Sequence, residues 1–133
     1  SQFYFIDSAT QTVEAFDLDS ETLELTNRRS VYKIPEKDVY PDGMCIDAEG
    51  NLWVALWNGH GVICIDVAKG EVIHKLSIPC RKATSCCFGG ENLDELYVTS
   101  DARGEDLQEY PLSGHVFKFK LDVNGLPATA YQG

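Results

Sequence analysis

The sequence has no long apolar run: its purely hydrophobic stretches last only a few residues, far short of the roughly 20 a helix needs to cross a bilayer, so no helical membrane span is read here. It also has no cluster of positive charge. Eleven Lys and Arg stand against 21 Asp and Glu, a formal charge of −10, and only Arg28-Arg29 and Arg81-Lys82 are adjacent. Phosphate backbones are held by a concentrated positive field, which excludes nucleic acid as a partner. An acidic field of this kind favours cations, beyond its plainer role in solubility. No CxxC pair occurs, and the five cysteines, Cys45, Cys64, Cys80, Cys86 and Cys87, are an odd number set mostly in apolar, strand-like surroundings. Buried free thiols and a reducing, cytoplasmic compartment are the expectation. A disulfide between the neighbours Cys86 and Cys87 would strain a linkage that prefers Cα separations of about 4.4–6.8 Å.

Several chemical signatures are missing as well. There is no Gly-x-Ser-x-Gly elbow, phosphate-binding glycine loop or dinucleotide fingerprint, so serine-hydrolase and nucleotide chemistry have no support. His60, His74 and His115 are isolated from one another and from any Cys at zinc-finger spacing, and none is read as a metal ligand. The stretch Asp17-Leu18-Asp19-Ser20-Glu21 opens like a calcium-binding loop, but Thr22 falls where glycine must turn the chain and Arg28 where glutamate must ligate. It reads as an acidic hairpin tip. The opening residues, Ser1-Gln2-Phe3-Tyr4-Phe5-Ile6-Asp7, lack the basic and apolar regions of a signal peptide and read as a strand in progress. The expectation is a chain that begins inside a larger protein.

What is present is a soluble, globular composition, 44% hydrophobic and 24% charged, over a length that can bury roughly two thirds of its unfolded surface. Apolar residues recur with period two: Phe117, Phe119 and Leu121 share one face and Lys118 and Lys120 the other. Similar strand patterns cover 3–6, 13–18, 44–46, 52–56, 62–67, 72–78 and 96–99, while no window has a helical stripe, so little or no helix is expected. Gly-containing turns at Ala48-Glu49-Gly50-Asn51, Asn58-Gly59-His60-Gly61, Ala68-Lys69-Gly70 and Gly89-Gly90-Glu91-Asn92 join the strands into antiparallel meanders.

The strands repeat as sets. Phe3-Tyr4-Phe5 is matched by Leu52-Trp53-Val54 and Leu96-Tyr97-Val98; Val13 and its followers are matched by those of Val62 and Val116. Nine residues separate Tyr4 from Val13 and Trp53 from Val62, but nineteen separate Tyr97 from Val116, so the third copy has a ten-residue acidic insertion within 100–114, expected to be an exposed loop. A period of this length with four strands per copy indicates β-propeller blades. An immunoglobulin-like sandwich would explain the strand number and length but not the matched spacing. Between two and three blades are visible, the first without its innermost strand, and closure needs four to eight. The missing blades come from the same protein or from another chain.

Innermost propeller strands line a central channel, and Asp42 lies at the entrance of such a strand. Pro41 pre-sets the turn before it, and Gly43 permits close backbone approach. An ordinary Pro-Asp-Gly turn is the alternative. Thr84 and Ser85 occupy the place in the next copy that corresponds to Pro41-Asp42 and are candidate channel-lining residues. Trp53, Trp57 and Tyr97 are read as core residues.

The runs Asn27-Arg28-Arg29-Ser30-Val31-Tyr32-Lys33, Pro41-Asp42-Gly43-Met44-Cys45-Ile46-Asp47 with its continuation through Leu52-Trp53-Val54-Ala55, Thr84-Ser85-Cys86-Cys87-Phe88-Gly89-Gly90, and Leu96-Tyr97-Val98-Thr99-Ser100 resemble the regucalcin (senescence marker protein 30) and gluconolactonase family, in order and over essentially the whole chain. The resemblance implies an all-β fold in which residues 1–133 are the C-terminal part, about half, of a single six-bladed propeller. It implies one divalent cation in the channel, calcium first, with zinc, magnesium or manganese compatible with a single Asp oxygen. It also implies hydrolysis of sugar lactones. Of the family's metal ligands, a Glu, an Asn and the Asp of Pro-Asp-Gly, only the last is matched, by Asp42, which is therefore the candidate metal ligand and catalytic residue. The isolated chain is not expected to be a competent lactonase. Two alternatives stand beside this reading: a calcium-binding regulatory protein, and a non-catalytic fragment that assembles through exposed blade edges.

Overall fold

A computed structural model describes residues 1–131. Among the described residues ten strands form: β1 (Gln2–Asp7), β2 (Thr12–Leu18), β3 (Leu25–Lys33), β4 (Tyr40–Ile46), β5 (Leu52–Trp57), β6 (Gly61–Asp66), β7 (Glu71–Ser77), β8 (Ala83–Gly89), β9 (Glu95–Ser100) and β10 (Phe117–Lys120), with one 3₁₀ turn at Ser8–Thr10. They make three antiparallel sheets, β1-β2-β3, β4-β5-β6-β7 and β8-β9-β10.

Register confirms the repeat. Phe5 pairs with Glu14, Val54 with Ile63 and Val98 with Phe117, so β1, β5 and β9 are equivalent, as are β2, β6 and β10. The first sheet thus begins at the second position of the blade, while β4 and β8 are the innermost strands of the second and third. The patterned segments coincide with strands to within a residue at their ends, save that β4 begins earlier, at Tyr40, although β5 and β6 are buried on both faces and β7 is almost wholly exposed. Two strands had no such pattern: β3 is an exposed outer strand dominated by polar and charged residues, and β8, Ala-Thr-Ser-Cys-Cys-Phe-Gly, is built from small side chains.

β5 reads Leu-Trp-Val-Ala-Leu-Trp without a polar residue because both faces of its sheet are covered. Leu52, Val54 and Leu56 pack toward the first sheet with Val13, Ile34, Ile63 and Ile65. Trp53 and Ala55 pack toward the third with Val62, Cys64, Ile78, Cys86, Leu96 and Val98. One strand therefore serves two cores, which stacks the three blades face to face.

One turn departs from the usual placement of glycine at positive φ. In the turn after β5 the left-handed backbone positions are Asn58 (φ 67°) and His60 (φ 60°), not Gly59. Gly59 is needed for space, since a Cβ there would lie 3.0 Å from both Leu56 Cδ1 and Val39 Cγ1. The insertion is irregular and mostly exposed, as expected, but it is anchored at one residue. Glu105 turns inward, its side chain wholly covered, and meets Arg81 Nε and Lys82 Nζ at 2.9 Å each. Lys82 also donates to the carbonyl of Arg103 at 2.6 Å, and the Arg81 guanidinium lies 5.5 Å from the Tyr110 ring centre. The segment 101–116 is thus strapped to the loop preceding β8.

Replacing Glu105 by alanine leaves two cations without their carboxylate and frees the strap. Glu105 is covered by neighbouring side chains rather than by depth of protein, which places the loss at about 1–3 kcal/mol, below that for a fully buried pair. The Arg81 hydrogen bond holds the Glu105 carboxyl below its usual range. Its contribution is present above the ordinary Glu range and fades as pH falls through the lowered value. Limited proteolysis within 101–114 reads both effects; equal protection of wild type and variant would refute this role for Glu105.

Candidate functional site at the channel mouth

Antiparallel pairing puts the starts of β4 and β8 at the same end of the molecule as the ends of β5 and β9, because Tyr40 pairs with Trp57 and Ala83 with Ser100. This end is the mouth. At the same place in both inner strands the ladder bulges: Asp42 and Gly43 are inserted between the Pro41 and Met44 pairs, and Thr84 between those of Ala83 and Ser85. A bulge re-aims side chains and is common beside functional sites. It makes Asp42 and Thr84 equivalent residues of adjacent blades, one position away from the alignment of Asp42 with Ser85 that the sequence suggests.

Asp42 is solvent-exposed on one side, and it has no hydrogen bond or ion pair among the described residues. Desolvation by the surrounding protein raises its carboxyl above the ordinary range. The two observations agree, because water reaches one side of the carboxylate while protein occupies much of the rest. Its backbone is held from the first blade. Ser8 Oγ, in the 3₁₀ turn, donates to the Pro41 carbonyl at 2.6 Å, fixing the peptide that leads into Asp42. No sequence signal marks Ser8, which lies far away along the chain in a short polar turn.

Gly43 is required, for a reason other than ligand access. A Cβ on it would lie 2.6 Å from Ser85 Cβ and 2.8 Å from Ser85 Cα. The missing side chain lets β8 close on β4. Since the obstruction is partly backbone, Gly43→Ala must push the two blades apart, at a cost of about 1–3 kcal/mol in a urea unfolding experiment. A variant within about 0.5 kcal/mol of wild type would show that the inner strands are not in close contact.

Ser85 is exposed and lies against Gly43, on the Asp42 strand. Thr84 is half-buried, and its Oγ1 lies 2.8 Å from Thr99 Oγ1. The structure thus brings Ser85 to the Asp42 strand and turns the Thr84 hydroxyl toward β9. Among the three residues read as core, only Trp53 is fully buried, its Nε1 donating to Asp47 at 2.9 Å. Tyr97 is half-buried and donates its hydroxyl to Glu95. Trp57 is half-buried beside the mouth, with the Tyr40 ring at 6.0 Å and Lys82 Nζ 5.1 Å from its ring centre. Lys82 and Trp57 could have been found only through the fold, since β8 and the strap bring them together.

As a donor set this is spare. Among the described residues no three of His, Cys, Asp and Glu converge to hold a metal ion. Asp42 offers hard carboxylate oxygens without a protein cation beside them, which fits one ligand position of a divalent site whose other donors lie elsewhere.

Blades stacked face to face, with bulged inner strands meeting at one mouth, define a β-propeller protein. Residues 1–102 match the family described as SMP-30/Gluconolactonase/LRE-like region, and the chain belongs to that family. It is 48% identical to regucalcin of Pongo abelii over 98% of this chain and 45% of that protein. Among solved structures it is similar to a luciferin-regenerating enzyme, 40% identical with TM-score 0.83 over 94% of this chain and 43% of the other. A regucalcin from Agrobacterium tumefaciens strain C58, described as a calcium-binding protein, is 26% identical with TM-score 0.85 at the same coverage. The chain thus spans a little under half the length of these relatives.

Proposed function

We propose that this chain forms part of the channel wall of a divalent-metal-dependent hydrolase of sugar lactones, with Asp42 as one ligand of the cation and Ser85 and Thr84 on the adjoining wall. The observation that carries the reading is an unpartnered, partly desolvated carboxylate on a bulged inner strand. In the absence of a cation its charge is uncompensated, and a divalent ion is the partner such a group favours. Calcium is the first choice because a relative is described as calcium-binding; zinc, magnesium and manganese also accept a carboxylate oxygen. A bound cation would supply Lewis-acid polarisation of the lactone carbonyl. Asp42 holds its oxygens in place through the Ser8 bond to Pro41 and the packing of Gly43 on Ser85. A second role for Asp42, accepting the proton of the attacking water, is weakened by ligation, which lowers its basicity.

The remaining ligands come from blades in the rest of the same protein or from another chain. The test is gluconolactone hydrolysis by the protein carrying all its blades, stripped with a chelator and then resupplied with calcium, zinc, magnesium or manganese. Activity should vanish and return; a rate indifferent to chelation would overturn the reading. A regulatory calcium-binding role is the second reading, supported by the same calcium-binding relative. Calorimetric titration decides it, since an affinity weaker than about millimolar excludes cytosolic sensing. A reducing, cytoplasmic setting belongs to this proposal and is supported by five cysteines that are all free.

A further inference from the structure

We propose that Cys45 and Cys86 are a dithiol modification site, in which peroxide forms a disulfide that staples the inner strands of the second and third blades together. The two sulfurs lie 3.7 Å apart across the blade interface. Cys45 is half-buried, while Cys86 is buried and donates its S–H to the carbonyl of Trp53 at 3.2 Å. That bond directs the Cys86 hydrogen away and leaves a sulfur lone pair free to face Cys45.

Strand geometry sets Cys64 apart from Cys45 and Cys87 apart from Cys86. Cys45 and Cys64 both pair with Trp53, from opposite sides. They are two strand spacings apart, about 9–10 Å, beyond the roughly 7 Å limit for a disulfide. Cys87 follows Cys86 on the same strand but is exposed where Cys86 is buried, so the two side chains face opposite sides of the sheet. Cys80 is buried in the loop before β8.

The chemistry balances with hydrogen peroxide as oxidant. Cys45, the more accessible of the two, attacks the O–O bond; an S–O bond forms, the sulfenic acid results, and one water leaves. Cys86 Sγ then attacks Cys45 Sγ, the S–O bond breaks, the S–S bond forms and a second water departs. Two thiols are oxidised and one peroxide is reduced. Contact with Cys45 and burial both push the Cys86 thiol up, so its thiolate is scarce and the second step is slow. Its position gives the bridge a structural effect: Cys45 is three residues from Asp42, and Cys86 follows Ser85 directly. A staple there fixes the contact that Gly43 and Ser85 make.

The test uses the protein with Cys87→Ser, so that the exposed thiol cannot link two molecules. Prolonged treatment with hydrogen peroxide, alkylation and unreduced peptide mapping should give a single linked species, Cys45 to Cys86. The thermal midpoint should rise by about 5–15 °C and fall back with dithiothreitol. Adding Cys45→Ser should remove both the link and the shift. A linkage through Cys64 or Cys80, sulfinic acid at Cys45 as the end product, or a midpoint shift that survives Cys45→Ser would each overturn the proposal.

Discussion

Asp42→Asn should reduce lactone hydrolysis by the complete protein by about 100-fold or more, while leaving its metal-free stability unchanged or slightly raised. The first part follows from the proposed role. Asparagine keeps the shape of the side chain but supplies a neutral oxygen, which weakens both cation binding and the polarisation that depends on it. The second part follows from the direction of the Asp42 shift. Desolvation raises its carboxyl above the ordinary range, so the folded protein favours the protonated form. Its contribution is fully present below the ordinary carboxylate range and is lost as pH rises through the raised value. Near pH 7 the metal-free protein therefore bears an ionised group that it would sooner have neutral, and asparagine removes that cost. Urea midpoints near pH 7 and near pH 3 measure this, the difference between variant and wild type closing at the lower pH. A variant markedly less stable near pH 7 would show that Asp42 has a structural partner, and full retained activity would remove it from the metal site.

Asp47→Ala should cost about 3–5 kcal/mol, the largest stability loss of any single change considered for this chain. Asp47 is 1% exposed and accepts four hydrogen bonds. The backbone N–H groups of Glu49 and Asn51 each donate to Oδ1 at 2.9 Å; Asn51 Nδ2 and Trp53 Nε1 donate to Oδ2 at 3.2 and 2.9 Å. One carboxylate thus closes the turn between β4 and β5 and also satisfies the indole of the main core tryptophan. Trp53 in turn lies parallel to the His74 ring at 6.3 Å and edge-on to Phe88 at 6.0 Å, joining the second blade to the third. Alanine leaves several donors unpaired, each costing about 1–3 kcal/mol where water cannot reach it, with the partly buried turn amides recovering some of that. Asp47→Asn should fall between wild type and alanine, because an amide turns an N–H toward the Trp53 and Asn51 donors. Guanidinium unfolding ranks the three. A loss under about 1 kcal/mol for alanine would mean that the turn is held by its backbone alone.

Asp42 and Asp47 lie five residues apart and look alike as sequence, yet they have opposite roles. Asp42 was legible as a site candidate because Pro41 and Gly43 flank it in a repeat, and the resemblance to a lactonase family strengthened that. Asp47 has no comparable flag. Its importance depends on the turn folding back so that Trp53, six residues on, meets its carboxylate. Gly43 was legible as a position needing space, but the occupant of that space is Ser85 of the next blade rather than a ligand. The insertion was legible as acidic and irregular. That one of its acidic residues, Glu105, would turn inward could not be read locally, since Arg81 and Lys82 come from the loop before β8.

The strands β3 and β8 show the same limit from another side. Alternation reveals a strand when one face is buried and the other wet, and a short apolar run such as β5 reveals one that is buried on both. β3 lies at the outer edge of its blade with both faces largely exposed, and β8 packs small side chains against a neighbouring blade, so neither produces the pattern.

By itself the sequence determined that this protein is all-β and that its strands come in repeated sets, because period-two burial and turn chemistry act between residues close along the chain. Only the tertiary structure decided that Asp42 stands without a partner, that Ser8 holds its backbone, that Gly43 admits Ser85, and that Cys45 meets Cys86. Each of those depends on how two blades stack, and the stacking is set by the buried faces of several strands together rather than by any local run of residues.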